Sequence, residues 1–271
     1  MASDGSGPRT HQGAPSLSAV VVARNEEAQL AACLERLRFA DDLVVVLDRS
    51  TDRSAEIARS FGARVVEGGW ELEGPRRNAG LDRCRSDWII EIDADERVPA
   101  ALAQEIRRAI AQGASDIFLV PMANHIGTHR VRYGWGAYNG VAAKPILFRR
   151  GAKRWGAGRV HPRIDMTGRR GTLGATLDHY VDRDIGDMFR RLNRYTDLAA
   201  LDAIDSGDIP PMGHSVRRVF SRFWKSYVAR KGHREGAYGL ALATFSALYP
   251  LLIYLKVATA PSVQPSEGEK K

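Results

Sequence analysis

Apolar and polar positions alternate in blocks over the first 120 residues, and the blocks follow two different periods. Short runs of Val, Ile and Leu are typical of buried strands, and the segments between them repeat apolar residues at helical spacing. The pattern predicts strands at 18–23, 43–47, 63–66, 88–93 and 117–120, and helices after residue 26, around 57–61, at 75–85 and at 99–112. Strands that alternate with helices across short connections predict an α/β fold with a mainly parallel sheet.

The pattern changes after Pro121. Residues 124–140 are rich in Gly, His, Arg and aromatic side chains, and a polar helix is predicted from about 184 to 205 before the break at Pro210-Pro211. Further strands are predicted at 146–148, 159–165 and 172–180. This part of the chain therefore adds short strands and one long helix to the first alternation.

The C-terminal region has a third character. Val216–His233 carries six Arg and Lys residues among four aromatic ones, and Ala237–Leu255 follows with nineteen residues and no charge. A basic aromatic helix beside an apolar helix is typical of an interfacial membrane anchor, with its cations on anionic lipid. The length of the apolar segment reaches the lower end of what a membrane-spanning helix needs, but Pro250 and the small residues weaken that interpretation. The other alternative is a soluble helical hairpin packed on the preceding domain.

Composition narrows the possible partners. The 271-residue chain has a formal net charge of +8 and a pI near 9.7, which suits phosphorylated substrates, an anionic membrane or nucleic acid. Neither Cys33 nor Cys84 has a partner at metal-ligand spacing, which predicts reduced structural thiols. The polar stretch 1–16 lacks an apolar core and is interpreted as a disordered leader. The C-terminal stretch 259–271 is interpreted as a disordered tail.

The stretch Trp88–Glu96 begins as an apolar strand and ends in three acids within four residues. Open α/β sheets bind ligands at the carboxyl edge of their strands, where these acids are expected. Asp93 and Asp95, one residue apart, can hold a hard divalent cation together with phosphate oxygens. The simpler interpretation is a solvated turn that caps the helix beginning near Pro99. No Gly-x-Gly-x-x-Gly and no Gly-Lys-Ser/Thr motif is present, which argues against a dinucleotide site or a P-loop.

Several motifs in order resemble family 2 glycosyltransferases with the GT-A fold. The matching stretches are Val21–Glu27, Val46–Asp52, Arg77–Leu81 and Asp87–Glu96. Within the family the chain is most similar to the branch that includes lipopolysaccharide core β-glucosyltransferases. That closer resemblance depends on Arg159–His161, Leu177–Tyr180, Arg191–Thr196 and the basic-then-apolar C-terminus.

The resemblance implies a mixed, mainly parallel GT-A sheet flanked by helices, with a C-terminal helical, membrane-associated appendage. The transferase domain is expected at 17–207, divided into a nucleotide-binding half at 17–121 and an acceptor half at 122–207. Residues 208–258 would form the basic and apolar helical region.

The resemblance also implies roles for individual residues. It assigns nucleotide-sugar binding to Ala23, Arg24, Asn25, Glu26, Asp48, Arg77 and Asp93, and a Mg²⁺ or Mn²⁺ ion to Asp95, Asp93 and His179. Asn25 and Asp52 have a second interpretation as helix caps. Glu96 is expected to start the next helix. Arg77 has a second interpretation as a surface cation. Many relatives carry an acid at the position of Leu47, which leaves the nucleobase contact open.

The catalytic base is the position where the chain departs from the pattern. Many relatives have a glutamate where this chain has Pro162. His161 is the candidate by location and Asp165 the candidate by chemistry, with Asp178 farther along the chain. A base is needed because an alcohol is a poor nucleophile until its proton is removed.

The expected function is an inverting, metal-dependent transfer of a hexose from a nucleotide diphosphate, with UDP as the expected nucleotide. The acceptor would be a saccharide or lipid-linked glycan of the bacterial envelope, at the cytoplasmic face of the cell membrane. The alternatives are a polyprenyl-phosphate sugar transferase and a catalytically degenerate GT-A scaffold. The net charge also suggests nucleic-acid binding, but no nucleic-acid motif supports it.

Overall fold

The computed structural model describes residues 13–137, 143–158 and 163–260. The chain divides into two compact units. The first comprises the chain up to Pro121 together with Ala143–Asp178, and the second comprises Met122–Ala142 together with the chain from His179 onward. The candidate base His161, with the neighbouring residues 159–162, lies outside the described residues.

The first unit contains most of the strands. Its elements are β1 Leu17–Ala23, α1 Glu27–Glu35, β2 Asp42–Asp48, α2 Ser54–Ser60, β3 Arg64–Gly68, α3 Glu73–Leu81, β4 Trp88–Asp93, β5 Glu96–Arg97, α4 Ala100–Gln112, the first half of β6 Ile117–Ile126, β8 Ala143–Arg149, β9 Lys153–Trp155, β10 Ile164–Met166 and β11 Arg170–Thr172. All seven residues of β1 are buried, as are the last five of β2. Uniform burial is what a strand covered by helices on both faces requires.

The sheet order is β3-β2-β1-β4-β8-β6 in this unit. The first four strands are parallel, β8 runs antiparallel to β4 and β6, and β11 pairs parallel with β6. Strands β9 and β10 form a separate antiparallel pair. The predicted mixed, mainly parallel sheet flanked by helices is confirmed.

Helix α3 packs closely on the sheet at Gly80. A methyl group placed there would lie 2.6 Å from Cγ2 of both Val20 and Val46, which are buried on β1 and β2. Only a residue without a side chain allows this approach, because close-packed interiors leave no room for an extra methyl group.

Gly80→Ala is therefore expected to lower the free energy of unfolding by about 1–3 kcal/mol, measured by urea denaturation. Gly213→Ala is the matched control, since nothing lies within 4 Å of the added methyl group. That change is expected to leave stability unchanged or to raise it by up to about 1 kcal/mol. Equal stability of the two variants would contradict the close approach of α3.

The second unit is mainly helical. Its elements are the second half of β6, β7 His129–Arg130, the main part of β12 Leu177–Asp182, α5 Ile185–Ser206, α6 Met212–Trp224, a π-helical turn Lys225–Ala229, a 3₁₀ turn Gly232–Glu235 and α7 Ala237–Ala258. Helix α7 packs against both α5 and α6. The Asp184 side chain caps α5 by accepting a 2.8 Å hydrogen bond from the Asp187 backbone N–H.

One described helix is long and apolar enough to cross a membrane by length and composition. This helix, α7, has a mean hydropathy of 1.7 in its most apolar window, and only 22% of that window is buried. The predicted C-terminal apolar helix is therefore present. It has 22 residues, three more than the uncharged stretch Ala237–Leu255.

Candidate active site

The loops after β1, β2 and β4 lie at one edge of the sheet. In the parallel register Ala23 pairs with Leu47, and Val22 pairs with Asp93, so the three strands end side by side. This is the carboxyl edge, where open α/β sheets hold their ligands. The residues that the resemblance assigns to the nucleotide therefore converge, although they are up to 70 positions apart in the chain.

The first two loops are joined by hydrogen bonds. The Asn25 amide oxygen accepts from the Thr51 N–H at 2.8 Å, and the Asn25 N–H donates to Ser50 Oγ at 3.1 Å. Asn25 adopts a left-handed conformation with φ of 54°, and Glu26 stands at the start of α1 without a side-chain cap. The interpretation of Asn25 as a helix cap is wrong, because its side chain joins the two loops instead. Arg24 beside it is exposed.

Asp52 acts as a cap for two helices. Its carboxylate accepts from the Ser54 N–H at 3.0 Å and from the Glu27 N–H at 2.9 Å, the first residues of α2 and α1. Both N–H groups lack an acceptor within their own helix, and a carboxylate is favourable beside the positive end of the helix dipole. The Glu26 N–H donates to Ser54 Oγ at 3.0 Å, which completes the junction between the loops.

Asp48 is buried at the end of β2, with 2% of its surface exposed. Its carboxylate accepts from the Trp70 N–H at 3.1 Å and from Arg49 Nε at 3.0 Å, and Arg76 lies 3.3 Å away. Burial raises the pKa of Asp48, but these donors outweigh it and hold the pKa below its ordinary value. Asp48 is therefore a fixed anion at physiological pH, oriented by backbone and guanidinium groups.

The turn that carries Asp93 and Asp95 is closed by Glu96. The Glu96 carboxylate accepts from the Asp93 N–H at 2.9 Å, and only 1% of Glu96 is exposed. Glu96 begins the short strand β5, so the expectation that it starts a helix is wrong. The Arg97 guanidinium donates to the Ala94 carbonyl at 2.7 Å and to the Glu96 carbonyl at 2.8 Å, which holds the turn from the other side.

Two cations flank Asp93. Arg77 Nη2 lies 2.9 Å from one Asp93 oxygen, and Lys144 Nζ lies 3.4 Å from the other. Lys144 also pairs with Glu96 at 2.7 Å. Burial alone would lower the pKa of Lys144, but Asp93 and Glu96 outweigh it and hold the pKa well above its ordinary value.

Arg77 belongs to a buried charge network beneath the acidic turn. It pairs with Glu73 at 2.7 Å and with Glu91 at 2.9 Å, and Lys153 pairs with Glu91 at 2.7 Å. The side chains of Arg77, Glu91 and Lys153 are 12%, 3% and 3% exposed. The Trp155 ring lies against Arg77, 4.8 Å from its guanidinium carbon, and donates its indole N–H to Glu91 at 3.2 Å. The interpretation of Arg77 as a surface cation is wrong.

The donor chemistry of the turn fits a hard divalent cation. Asp93 and Asp95 supply carboxylate oxygens at the ligand edge, and both side chains are partly exposed. The Lys144 ammonium lies 3.4 Å from an Asp93 oxygen, so this carboxylate already has a cation beside it in the structure. Among the described residues no three His, Cys, Asp or Glu side chains form a metal-binding group. A metal on this turn would therefore need substrate oxygens or water to complete its coordination.

The remaining predicted site residues belong to other elements of the fold. Asp165 is on β10, exposed, with its carboxylate 2.9 Å from Arg163 Nε. His179 belongs to the second unit, where its Nδ1 lies 3.0 Å from the Asn124 amide oxygen. The side chain of Asp178, the more distant candidate base, is half-buried on β12.

Sequence reasoning missed four charged residues in and beneath the turn: Lys144, Lys153, Glu91 and Arg97. An acid inside the apolar run Trp88–Ile92 was a usable signal, because a buried carboxylate requires a partner. Nothing near Lys144 or Lys153 in the sequence indicates that their side chains return to β4.

The sequence is similar to known glycosyltransferases. The model of the family described as Glycosyl transferase family 2 matches residues 18–166. The lipopolysaccharide core biosynthesis glycosyltransferase LpsC of Rhizobium meliloti (strain 1021) is 28% identical over 253 residues, 89% of this chain and 91% of LpsC. The low-salt glycan biosynthesis hexosyltransferase Agl6 of Haloferax volcanii is 41% identical over 88 residues, 30% of this chain and 21% of Agl6.

Solved structures show weaker similarity. Glucosyl-3-phosphoglycerate synthase from Mycobacterium tuberculosis, solved with Mn²⁺, UDP and glucosyl-3-phosphoglycerate, aligns with a TM-score of 0.35 and 25% identity. The alignment covers 41% of this chain and 44% of the synthase. S. aureus TarS aligns with a TM-score of 0.47 and 12% identity over 92% of this chain and 76% of TarS.

The carboxyl-edge site and the family match define a glycosyltransferase with the GT-A fold. The chain belongs to glycosyl transferase family 2.

Proposed function

We propose that this enzyme transfers a hexose from a nucleotide diphosphate, with inversion at the anomeric carbon, to a saccharide or lipid-linked acceptor of lipopolysaccharide core or a related envelope glycan. The observation that carries the proposal is the convergence of Asp48, Asp93 and Asp95 at one sheet edge in a family 2 transferase. Similarity to LpsC over 89% of the chain supports the acceptor class. UDP is the proposed nucleotide.

Asp95 and Asp93 would hold a Mg²⁺ or Mn²⁺ ion. Bound there, the ion would stabilise the negative charge that develops on the departing nucleotide diphosphate. Arg77 orients Asp93 through their 2.9 Å contact, and Glu96 fixes the turn through the Asp93 N–H. The role of His179 as a further ligand stays a prediction.

The remaining residues would bind the donor and activate the acceptor. Asp48 and the loop Ala23–Glu26 form the side of the edge proposed for the nucleoside. His161 and Asp165 remain the candidate bases, and Asp165 would have to separate from Arg163 to accept a proton. The division into a nucleotide-binding half at 17–121 and an acceptor half at 122–207 also remains a proposal.

A donor screen tests the proposed function directly. UDP-hexoses with Mn²⁺ are expected to raise the melting temperature, because a ligand that binds the native state stabilises it. Removing the metal with a chelator should abolish the shift. A preference for another nucleotide would reassign the nucleobase contact, and the absence of a shift with any nucleotide-sugar would favour a degenerate scaffold.

Mass analysis of the reaction product separates the two enzymatic alternatives. A glycan product supports the proposed function, and a sugar attached to a lipid phosphate indicates a polyprenyl-phosphate sugar transferase. The exposed apolar surface of α7 is the observation that keeps this second candidate open.

Peripheral attachment to the inner face of the cell membrane forms part of the proposal. Helix α6 presents an unbroken apolar stripe at four-residue spacing: Met212, Val216, Phe220 and Trp224 are 58%, 40%, 72% and 65% exposed. Arg217 and Arg218 lie exposed on the same helix. Apolar side chains flanked by cations suit the interface of an anionic bilayer.

Replacing both Phe220 and Trp224 by serine is expected to reduce binding to vesicles that contain anionic phospholipid by at least about tenfold, because each large side chain contributes about 1.5–3 kcal/mol when buried. Co-sedimentation measures the bound fraction. Serine at the exposed Leu201 of α5 provides a control for lost apolar area outside the stripe. Undiminished binding of the double variant would exclude α6 as the contact surface.

A further inference from the structure

A cavity of about 330 Å³ lies within the second unit, among β6, β12 and helices α5, α6 and α7. Its walls are largely apolar and include Met188, Leu242 and Phe245. All of its described lining residues belong to this unit, and none of them is among the residues assigned to the nucleotide-sugar. The cavity is large enough to hold a small polar group together with part of an apolar chain.

Two polar groups of the cavity have no hydrogen-bond partner among the described residues. They are Arg222 Nε and Ser246 Oγ, both shielded from solvent. A buried donor without an acceptor costs free energy, more when the group is charged. The other guanidinium in the lining, Arg191, is paired with Asp182 at 2.7 Å. Arg222 is therefore the arginine of the lining whose positive charge can pair with a ligand.

Aromatic rings rather than carboxylates surround the Arg222 guanidinium. Its central carbon lies 5.3 Å from the centre of the Trp135 ring and 5.5 Å from that of Tyr249. Burial lowers the pKa of Arg222, and the nearby Arg218 lowers it further, which reflects the missing counter-charge. Arginine nevertheless stays protonated, so the guanidinium keeps a positive charge with no described carboxylate beside it.

The helices around the cavity show where an attached apolar chain would lie. Only 22% of the most apolar window of α7 is buried, and Leu240 and Leu255 on this helix are 49% and 45% exposed. On α5, Phe189 is 55% exposed and meets the Phe245 ring edge-on at 4.4 Å. Phe245 also lines the cavity. Apolar surface thus continues from the cavity wall to the outside of the helices.

We infer that this cavity binds an amphiphile by its phosphate group, with Arg222 and Ser246 contacting the phosphate and the chain lying against α7. Guanidinium groups pair with phosphate through charge-assisted hydrogen bonds, and a hydroxyl group donates another. The inference rests on the proposed function in one respect, because a lipid-linked acceptor is one source of such a ligand. A membrane phospholipid is the other source.

Calorimetric titration of the full chain without nucleotide-sugar tests the inference. The probes are farnesyl phosphate for a carrier-like monoester and dihexanoylphosphatidylglycerol for a membrane phospholipid, both below their micellar concentrations. The controls are inorganic phosphate, which lacks the apolar chain, and octyl glucoside, which lacks the phosphate group. One or both of the lipid probes are expected to bind at least about tenfold more tightly than either control. The tighter of the two lipid probes identifies the source.

Arg222→Gln is expected to weaken the binding of the lipid phosphate by about tenfold or more, since it removes the charged hydrogen-bond donors that contact the phosphate. Arg83→Gln, a change of the same charge at an exposed position of the first unit, should alter it less than twofold. Ser246→Leu fills the cavity without changing the charge and removes a hydroxyl that has no partner, so it should also weaken binding while preserving the fold.

Equal affinities of the Arg222→Gln and Arg83→Gln proteins would overturn the inference, as would equal binding of inorganic phosphate and the amphiphiles. Because the titration involves no sugar transfer, it separates the two proposals. Loss of binding with intact transfer would refute only the cavity ligand. Binding that persists in a protein unable to turn over any nucleotide-sugar would refute only the proposed function.

Discussion

The Asp95→Asn enzyme is expected to transfer sugar at least about 100-fold more slowly than the unaltered enzyme. Asparagine keeps the size of the side chain and removes its charge, and each 1.36 kcal/mol lost from transition-state stabilisation is a tenfold loss in rate. A carboxylate that helps to hold a catalytic metal controls several kcal/mol of such stabilisation. Initial rates at saturating donor, measured across a Mn²⁺ titration, would show the loss and any shift in metal requirement.

A matched control separates this effect from a general change in charge. Glu35→Gln removes an exposed carboxylate whose partner is Arg38, on the same unit of the protein, and should leave the rate within about twofold. Nucleotide binding in the presence of Mn²⁺ should weaken only in the Asp95 variant. Full activity of the Asp95→Asn enzyme would disprove a metal role for the acidic turn.

The second large effect is expected for Arg77→Met, which should lower the free energy of unfolding by about 3–5 kcal/mol. Methionine preserves much of the buried volume, but Glu91 keeps only Lys153 as an ionic partner and Asp93 loses its 2.9 Å contact. Removing one member of a buried charge network leaves an uncompensated charge, and that cost exceeds the value of the pair itself. Urea denaturation measures the change.

Arg83→Met serves as the comparison for this variant, because Arg83 follows α3 and is exposed. Its stability should change by less than about 0.5 kcal/mol. Arg77→Met should also reduce sugar transfer at temperatures where the protein stays folded, since Asp93 is no longer oriented. A stable Arg77→Met enzyme with unchanged transfer would mean that Glu91 and Asp93 are held without Arg77.

The sheet could be predicted from the sequence because its strands are short runs of one kind of residue. Ser18–Ala23 and Leu43–Leu47 each differ from the observed strands by no more than one residue at either end. Glu96 was misassigned because helical spacing begins only four residues later, and the strand that it starts is two residues long. A strand of that length leaves no periodic pattern in the sequence.

The charges around the site could not be predicted, because they come from distant parts of the chain. Lys144 reaches the acidic turn from 51 positions away and Lys153 reaches Glu91 from 62. Side-chain pairing of this kind depends on the register of β8 against β4, which the sequence pattern leaves open. The Asp-x-Asp motif, by contrast, is local, and for that reason it could be recognised.

The order of the two units along the chain constrains how the protein is made. The first unit is complete once Asp178 has been synthesised, whereas the second joins Met122–Ala142 to segments that begin at His179. Glu235 illustrates the delay: it accepts hydrogen bonds from the backbone N–H groups of Arg132 and Tyr133 at 2.7 and 2.8 Å, across about a hundred residues. At ribosomal rates of about 5–20 residues per second, that loop waits at least about 5 s for its partner. The first unit can thus fold on the ribosome well before α7 emerges.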